Sequence, residues 1–284
     1  MPDVAVTLAA VLAEAGSRLD AAGIATPARE ALRIWADQHG REPGRAYLER
    51  NRPVSRDDAA AYLGLVERRA GGEPLAYVTG CVGFRRLELR SDRRALIPRP
   101  ETEGLVDRLL ARAPVGRVAD IGTGSGCLAL SLAQEGRYDT VVAIDRSAGA
   151  VALARANRDL VGEAIALMQG DLTSALASAS LDALIANPPY LTDAEYGALE
   201  PTVARWEPRS ALASGPDGMD ATARLLDDGR RVLRAGGWIA LEVDAGRAQA
   251  VAALAGRFGW ERVEVGEDLF GRERYVLARR NETP

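Results

Sequence analysis

The four residues Asn187-Pro188-Pro189-Tyr190 follow directly on the apolar run Leu181–Ala186, whose pattern predicts a strand. Two consecutive prolines lack N–H groups and fix φ, and the first of them favours an extended backbone at Asn187. We therefore expect a stiff loop at the carboxyl end of a strand, which is where open α/β sheets bind their ligands.

Such a loop can bind a planar group that carries an NH2, for example an amide or the amino group of a base. The nitrogen of that group is a poor nucleophile, because its lone pair is delocalised. The side-chain carbonyl of Asn187 and the main-chain carbonyl of Pro188 can each accept one N–H, while the ring of Tyr190 covers one face. This alignment turns the lone pair toward an electrophile. Asn187, Pro188 and Tyr190 are therefore the candidate catalytic residues.

A second motif, Gly122-Thr123-Gly124-Ser125-Gly126, lies between the strand-like run Val118–Ile121 and a helical stretch that begins at Cys127. Glycines in this position let a ligand approach the main chain. Asp145 ends the next apolar run, where a carboxylate can accept hydrogen bonds from two ribose hydroxyls. The G-x-G-x-G spacing differs from the dinucleotide pattern and resembles the first motif of S-adenosylmethionine-dependent methyltransferases.

A third motif, Gly170-Asp171-Leu172, follows the short run Ile165–Met168. It resembles the position at which such methyltransferases hold adenine through a carboxylate and the neighbouring backbone. The alternative for Asp171 is an ordinary exposed aspartate in a loop.

The composition excludes several other classes of enzyme. All 36 basic residues are arginine, and His39 is the single histidine. A chain without lysine builds neither a P-loop nor a pyridoxal Schiff base, and one imidazole cannot supply a histidine-rich metal site. Cys81 and Cys127 are too few for a disulfide framework or a four-cysteine zinc site, so no metal is expected.

The charge balance and hydropathy also limit the partners. A net charge of −4 argues against a stable complex with nucleic acid. No stretch approaches the roughly 18 apolar residues of a membrane span, and the N-terminus lacks the pattern of an export signal. We expect a cytoplasmic protein without a membrane partner.

Three segments differ in their hydrophobic pattern. Residues 1–72 repeat apolar positions at helical spacing and predict a small helical domain. Residues 73–96 alternate between polar and apolar and predict a hairpin that serves as a linker. Residues 97–284 alternate strand-like runs with helical stretches, which is typical of a parallel sheet covered by helices on both faces.

Several motifs in this order resemble one family, the HemK-type N5-glutamine methyltransferases that modify the Gly-Gly-Gln glutamine of peptide chain release factors. Besides the glycine loop and Asn187–Tyr190, the motifs that carry the resemblance are Glu73–Tyr77 with Thr79-Gly80, Leu96–Glu103, and Glu207-Pro208 before Ala211-Leu212. The likeness extends over nearly the whole chain.

The resemblance implies transfer of a methyl group from S-adenosyl-L-methionine to the side-chain amide nitrogen of that glutamine, leaving S-adenosyl-L-homocysteine. The fold class that it implies is α/β: a Rossmann-like methyltransferase domain whose mostly parallel sheet has an antiparallel last strand, with a small all-α domain that docks the protein substrate. The cofactor residues implied are Gly122, Thr123, Gly124, Ser125, Gly126, Asp145, Asp171, Leu172 and Asn187. The substrate residues implied are Asn187, Pro188, Pro189, Tyr190 and Phe84. The segment Arg99–Glu103 is expected to open a helix near the methionine part of the cofactor.

The chain departs from the family near Phe84, where Gly83, Arg85 and Arg86 replace the acidic and second aromatic positions. Phe84 is then either a wall of the glutamine pocket or a hydrophobic anchor. The basic run from Arg85 to Arg94 is either a solvated hairpin or a surface for an acidic partner.

Other functions compete with this one. A glutamine methyltransferase that acts on a ribosomal protein shares both main motifs. A DNA adenine-N6 methyltransferase would use the same pocket for a flipped base, but it needs a DNA-reading domain and a basic groove. A methyltransferase fold that serves only as a scaffold predicts loss of the loop glycines or of Asn187, and both are present.

Overall fold

The computed structural model describes residues 6–282, and its chain folds into two compact units, Met1–Cys81 and Val82–Pro284. The boundaries predicted from the sequence fall after residues 72 and 96. The structure instead divides the intermediate segment, because a short helix at 75–79 belongs to the first unit and the hairpin that follows belongs almost wholly to the second.

The first unit consists of five helices and one pair of very short strands. The helices are α1 (Leu8–Ala21), α2 (Pro27–Gln38), α3 (Pro43–Leu48), α4 (Arg56–Ala70) and α5 (Leu75–Thr79), and the strands β1 (Val6–Thr7) and β2 (Pro53–Val54) pair antiparallel. The hydroxyl groups of Thr7 and Ser55 accept main-chain N–H groups at the starts of α1 and α4. Apolar faces of these helices form one core around Ile34, Trp35 and Tyr62.

A hairpin of β3 (Cys81–Phe84) and β4 (Leu87–Arg90) precedes the main sheet of the second unit. The main sheet contains β5 (Val115–Ile121), β6 (Arg137–Asp145), β7 (Ala166–Gln169), β8 (Leu181–Ala186), β9 (Leu233–Glu242), β10 (Glu261–Glu267) and β11 (Glu273–Arg279). Its strand order is β10-β11-β9-β8-β5-β6-β7. The pairs from β9 to β7 are parallel, whereas β11 pairs antiparallel with both β9 and β10. The predicted Rossmann-like sheet with an antiparallel last strand is confirmed.

The helices of the second unit are α6 (Pro100–Leu110), α7 (Cys127–Glu135), α8 (Ala148–Val161), α9 (Asp193–Gly197), α10 (Pro201–Ala204), α11 (Asp220–Val232) and α12 (Ala248–Arg257), with one 3₁₀ turn at Arg209–Ala211. Successive residues of the central strands face two different cores, as Ala183 and Leu184 do in β8. Residues of α6 and α7 pack in one core, and residues of α11 and α12 pack in the other. Burial on both faces explains why these strands read as continuous apolar runs.

Arg85 occupies the turn of the hairpin, with a positive φ of 52° and a side chain that is 12% exposed. Its guanidinium donates to both carboxylate oxygens of Glu135 at 2.7 Å, to Asp107 at 2.7 Å and to the main-chain oxygen of Glu103 at 2.8 Å. Hydrogen bonds to Glu135 raise the pKa of Arg85. This side chain therefore ties the hairpin to α6 and α7.

Other members of the basic run also have partners inside the second unit. Arg94 pairs with Asp92 at 2.6 Å, and the guanidinium of Arg93 lies 3.9 Å from the ring centroid of Trp206. The run is thus partly an internal ion-pair network, an outcome that neither interpretation of the sequence included. Across residues 6–282, no helix is both long enough and apolar enough to cross a membrane.

Replacing Arg85 by alanine tests this network. Arg85→Ala leaves Glu135 and Asp107 without their shared cation, and we expect a loss of about 2–3 kcal/mol in the free energy of unfolding. The matched variant Arg86→Ala removes an exposed arginine and should cost less than about 0.5 kcal/mol. Denaturant unfolding followed by tryptophan fluorescence measures both. Equal losses in the two variants would contradict the role given to Arg85.

Candidate active site

A cavity of about 340 Å³ lies at the carboxyl ends of β5, β6 and β8 in the second unit. This volume falls within the range of about 300–1,000 Å³ that is usual for small-molecule sites. Seven of the predicted site residues line the cavity: Gly122, Gly124, Asp145, Asp171, Leu172, Asn187 and Pro189. The position is the one at which open α/β sheets bind ligands.

The glycine loop joins β5 to α7 and turns with positive φ at Gly122, Gly124 and Gly126. At Gly122 a Cβ atom would meet no described heavy atom within 4 Å, so the loop leaves open space beside its backbone. Gly126 has a different task, since a Cβ there would lie 3.3 Å from the Cβ of Ala154. The loop is thus open to a ligand at its start and packed against α8 at its end.

Asp145, the last residue of β6, fixes the loop and remains able to bind a ligand. Its Oδ2 accepts the N–H of Gly124 at 3.0 Å, and its Oδ1 accepts the N–H of Ser147 at 2.8 Å. A carboxylate has about four lone-pair positions, so acceptor capacity is left over. An open glycine backbone, a carboxylate and a cavity of this size fit the adenosyl part of S-adenosylmethionine.

A buried carboxyl group supports the loop from below. Asp120 in β5 is fully buried, and its Oδ2 accepts the hydroxyl of Thr123 at 2.6 Å and the N–H of Ala129 at 3.1 Å. Its Oδ1 has no hydrogen-bond partner among the described residues. Burial raises the pKa of Asp120 to about 7. Thr123 and Ser125 are buried and do not line the cavity, so they shape the loop from within.

Asp171 and Leu172 lie at the cavity in a less simple arrangement than predicted. The carboxylate of Asp171 pairs with Arg224 of α11 at 2.5 Å, and both side chains are more than half exposed. Leu172 has a positive φ of 49°, an uncommon conformation for a residue with a Cβ, and such conformations are concentrated at ligand sites. That Asp171 reaches adenine stays a prediction, since Arg224 already holds one of its oxygens.

The Asn187–Tyr190 loop begins where β8 ends. The side-chain Nδ2 of Asn187 donates to the hydroxyl of Thr102, in the first turn of α6, at 3.1 Å. No described residue donates to Oδ1 of Asn187, which is therefore free to accept. The N–H groups of Tyr190 and Leu191 both donate to the main-chain oxygen of Leu212, at 3.1 and 2.9 Å. The loop is fixed at both ends.

The remaining predicted residues do not line the cavity. Pro188 is buried, and Tyr190 is half-buried, so burial raises the pKa of its hydroxyl. Phe84 is 1% exposed and packs in the core with residues of α6 and α7. The hairpin turns this ring into the core, so the structure supports the hydrophobic anchor. The alternative role of Phe84, as a wall of the glutamine pocket, is corrected accordingly.

Glu207 has a function that the motif Glu207-Pro208 did not reveal. It is 5% exposed, accepts the guanidinium of Arg99 at 2.5 Å and accepts the N–H of Ile97 at 3.2 Å. Leu96, which precedes Ile97, and Pro208, which follows Glu207, both line the cavity. Glu207 therefore fastens one wall of the cavity to the other.

Glu242 is a second residue without a predicted role. It ends β9 and is 2% exposed, and its carboxylate interacts with the side chains of Thr102 and Asn187. The signal available in the sequence is a carboxylate inside the otherwise apolar run Trp238–Val243. Within the described part of the chain, no group of histidine, cysteine, aspartate and glutamate side chains could hold a metal ion.

Known proteins match the chain along most of its length. Residues 10–80 match the family described as PrmC N-terminal domain, and residues 100–204 match the Methyltransferase small domain. A release factor glutamine methyltransferase of Nitratidesulfovibrio vulgaris is 39% identical over 282 residues, covering 97% of this chain and 96% of the relative. One from Moorella thermoacetica is 41% identical over 284 residues, covering 97% and 99%.

Among solved structures, a methyltransferase from Pyrococcus furiosus superposes with a TM-score of 0.53 at 18% identity, covering 68% of this chain and 88% of that one. A likeness at this identity speaks for the fold alone. The sequence relatives show the family as well, because their alignments cover both units of the chain. The chain belongs to the family of release factor glutamine methyltransferases.

Proposed function

We propose that this chain transfers a methyl group from S-adenosyl-L-methionine to the side-chain amide nitrogen (N5) of the glutamine in the Gly-Gly-Gln motif of peptide chain release factors. The observation that carries the proposal is the fixed amide of Asn187. Its Nδ2 is bound by Thr102, and its free Oδ1 belongs to a rigid loop at the edge of the cavity. A second amide is the natural donor to that oxygen.

The glycine loop and its neighbours bind the cofactor. Gly122 and Gly124 offer an accessible backbone, Asp145 accepts the ribose hydroxyls, and Leu172 packs against the adenosyl group. When bound, the cofactor supplies a methyl group on a sulfonium, which is a strong electrophile with a neutral leaving group. The chain therefore has to provide alignment and electrostatics.

Asn187 and Pro188 align the substrate amide. Oδ1 of Asn187 and the main-chain oxygen of Pro188 each accept one N–H, which turns the nitrogen lone pair away from the loop. Positive charge develops on that nitrogen during transfer, so both hydrogen bonds strengthen in the transition state. Tyr190 and Pro189 limit the space around the amide. No strong base is needed, which agrees with a site that contains neither lysine nor histidine.

The helical unit Met1–Cys81 docks the protein substrate in this proposal. One glutamine among many has to be selected by contacts remote from the reacting amide. The proposal places the enzyme in the cytoplasm with release factors as partners, and without a stable complex with nucleic acid or membrane.

The decisive experiment uses S-adenosylmethionine labelled in its methyl group and three acceptors: a release factor, the same factor with its Gly-Gly-Gln glutamine replaced by alanine, and duplex DNA. Label in the first acceptor alone supports the proposal. Label in the alanine variant or in DNA would refute it, and the ribosomal-protein alternative predicts label in none of the three.

Removing the amide of Asn187 should greatly reduce methyl transfer and leave the affinity for the cofactor nearly unchanged. For Asn187→Ala we expect kcat to fall at least about a hundredfold, because one of two aligning acceptors is lost. The affinity for S-adenosylhomocysteine, measured by calorimetry, should change by less than about tenfold. Unchanged methylation by mass spectrometry would contradict the mechanism.

Asp145 should affect the cofactor alone. Asp145→Ala removes the acceptor that fixes the Gly124 N–H, and we expect the Kd for S-adenosylhomocysteine to rise at least about tenfold. The matched variant Asp139→Ala changes an exposed aspartate of the same strand and should leave the Kd within about twofold. Similar Kd values for the two variants would remove Asp145 from the site.

Deleting residues 1–81 separates docking from chemistry. The shortened chain should keep its affinity for S-adenosylhomocysteine, while the KM for the release factor rises at least about tenfold through loss of remote binding energy. Steady-state kinetics and calorimetry give the two values. An equal loss of cofactor affinity and substrate capture would argue against a docking role.

A further inference from the structure

Glu242 lies directly beside the residue that aligns the substrate. Strands β8 and β9 are parallel neighbours in which Ala186 pairs with Leu241, so Asn187 and Glu242 are the next residues of two adjacent strands. On its other side, Glu242 pairs in register with Tyr275 of β11. The position of Glu242 at the carboxyl end of β9 is thus set by the strands that pair with β9 on both sides.

Thr102 and Glu242 both lie next to the side-chain amide of Asn187. Thr102 is 3% exposed, and its hydroxyl oxygen accepts from Nδ2 of Asn187. A hydroxyl that accepts in this way has one proton left to donate, and the carboxylate of Glu242 is a neighbouring acceptor. The amide of Asn187 thus donates to Thr102, and the carboxylate of Glu242 interacts with both of these side chains. One carboxylate oxygen, Oε2, still lacks a partner among the described residues.

We infer that Glu242 is a positioning residue for methyl transfer, which orients and polarises the amide of Asn187 both directly and through Thr102. This inference rests on the proposed function. A carboxylate at this place disfavours the flipped amide, because Oδ1 would then face an anion. The carboxylate also attracts the Nδ2 protons of Asn187. Because coupled hydrogen bonds polarise one another, Oδ1 becomes a stronger acceptor for the substrate.

Protonation of Glu242 changes its hydrogen bonding, because a neutral carboxylic acid can donate a proton, whereas the carboxylate only accepts. Burial raises the pKa of Glu242 to about 7, while Thr102, Arg274 and Asn187 act in the opposite direction. The other titratable groups around this carboxyl come from α6, α7, β11 and the Asn187–Tyr190 loop; they are Glu101, Cys127, Tyr275 and Tyr190. The ionised, orienting form therefore prevails above about pH 7.

The direct test observes Asn187 without any reaction. The chain has four asparagines, so the side-chain NH2 signal of Asn187 in protein labelled with ¹⁵N-asparagine is assignable by its loss in Asn187→Ala. We expect this signal to shift with pH with a midpoint near 7, and the shift to vanish in Glu242→Gln. The control Glu261→Gln, an exposed carboxylate changed in the same way, should keep the shift. A signal that does not respond to pH, or responds equally in Glu242→Gln, overturns the inference whether or not a release factor is methylated.

Kinetics give the second readout. In Glu242→Gln, kcat should fall roughly ten- to hundredfold and lose its rise through pH 7, with little change in the KM for the release factor. Thr102→Ser, which keeps the hydroxyl, should lose less kcat than Thr102→Val. A wild-type kcat in Glu242→Gln refutes the inference and leaves the proposed function intact. Absence of methylation by the wild-type enzyme refutes the proposed function, while the NMR result still decides the role of Glu242.

Discussion

The hydrogen bond between the Asn187 amide and Thr102 is the contact on which the site depends. An amide nitrogen is a poor nucleophile, and acceptors for both of its protons turn its lone pair toward the methyl group. That requires an acceptor oxygen whose position does not vary. The parallel sheet brings the ends of β5, β6, β8 and β9 to one edge, and Thr102 in α6 holds the side chain there.

Two buried carboxyl groups support the two halves of this site. Asp120 lies under the glycine loop, and Glu242 lies beside the Asn187–Tyr190 loop, and burial raises the pKa of each to about 7. Each also keeps one oxygen without a partner among the described residues. Such groups cost stability, and they are tolerated where they orient groups that do chemistry. The absence of lysine and the single histidine are consistent with a mechanism that uses fixed acceptors in place of a base.

The sequence was sufficient for the features that local pattern determines. The sheet, its helices, the glycine loop, Asp145 and the Asn187–Tyr190 loop all follow from runs of neighbouring residues. Pairings between distant residues could not be predicted in this way. Arg99 meets Glu207 across 108 positions and Arg85 meets Glu135 across 50, and nothing at either position names its partner. Phe84 shows the same limit, since an aromatic residue in a hairpin reads alike whether it faces a pocket or the core. The observed boundary after Cys81 differs from the predicted one after residue 72. The five residues of α5 are too few for their hydrophobic pattern to indicate which unit the helix packs against.

The most direct measurement is the position of the added methyl group. After reaction with a release factor, fragmentation mass spectrometry of the peptide that contains Gly-Gly-Gln locates the modification at single-residue resolution. A fixed amide acceptor at Asn187 predicts one methyl group on the side-chain amide nitrogen of that glutamine. A methyl group on the peptide backbone, on a carboxylate or on any other residue would contradict this account of the site.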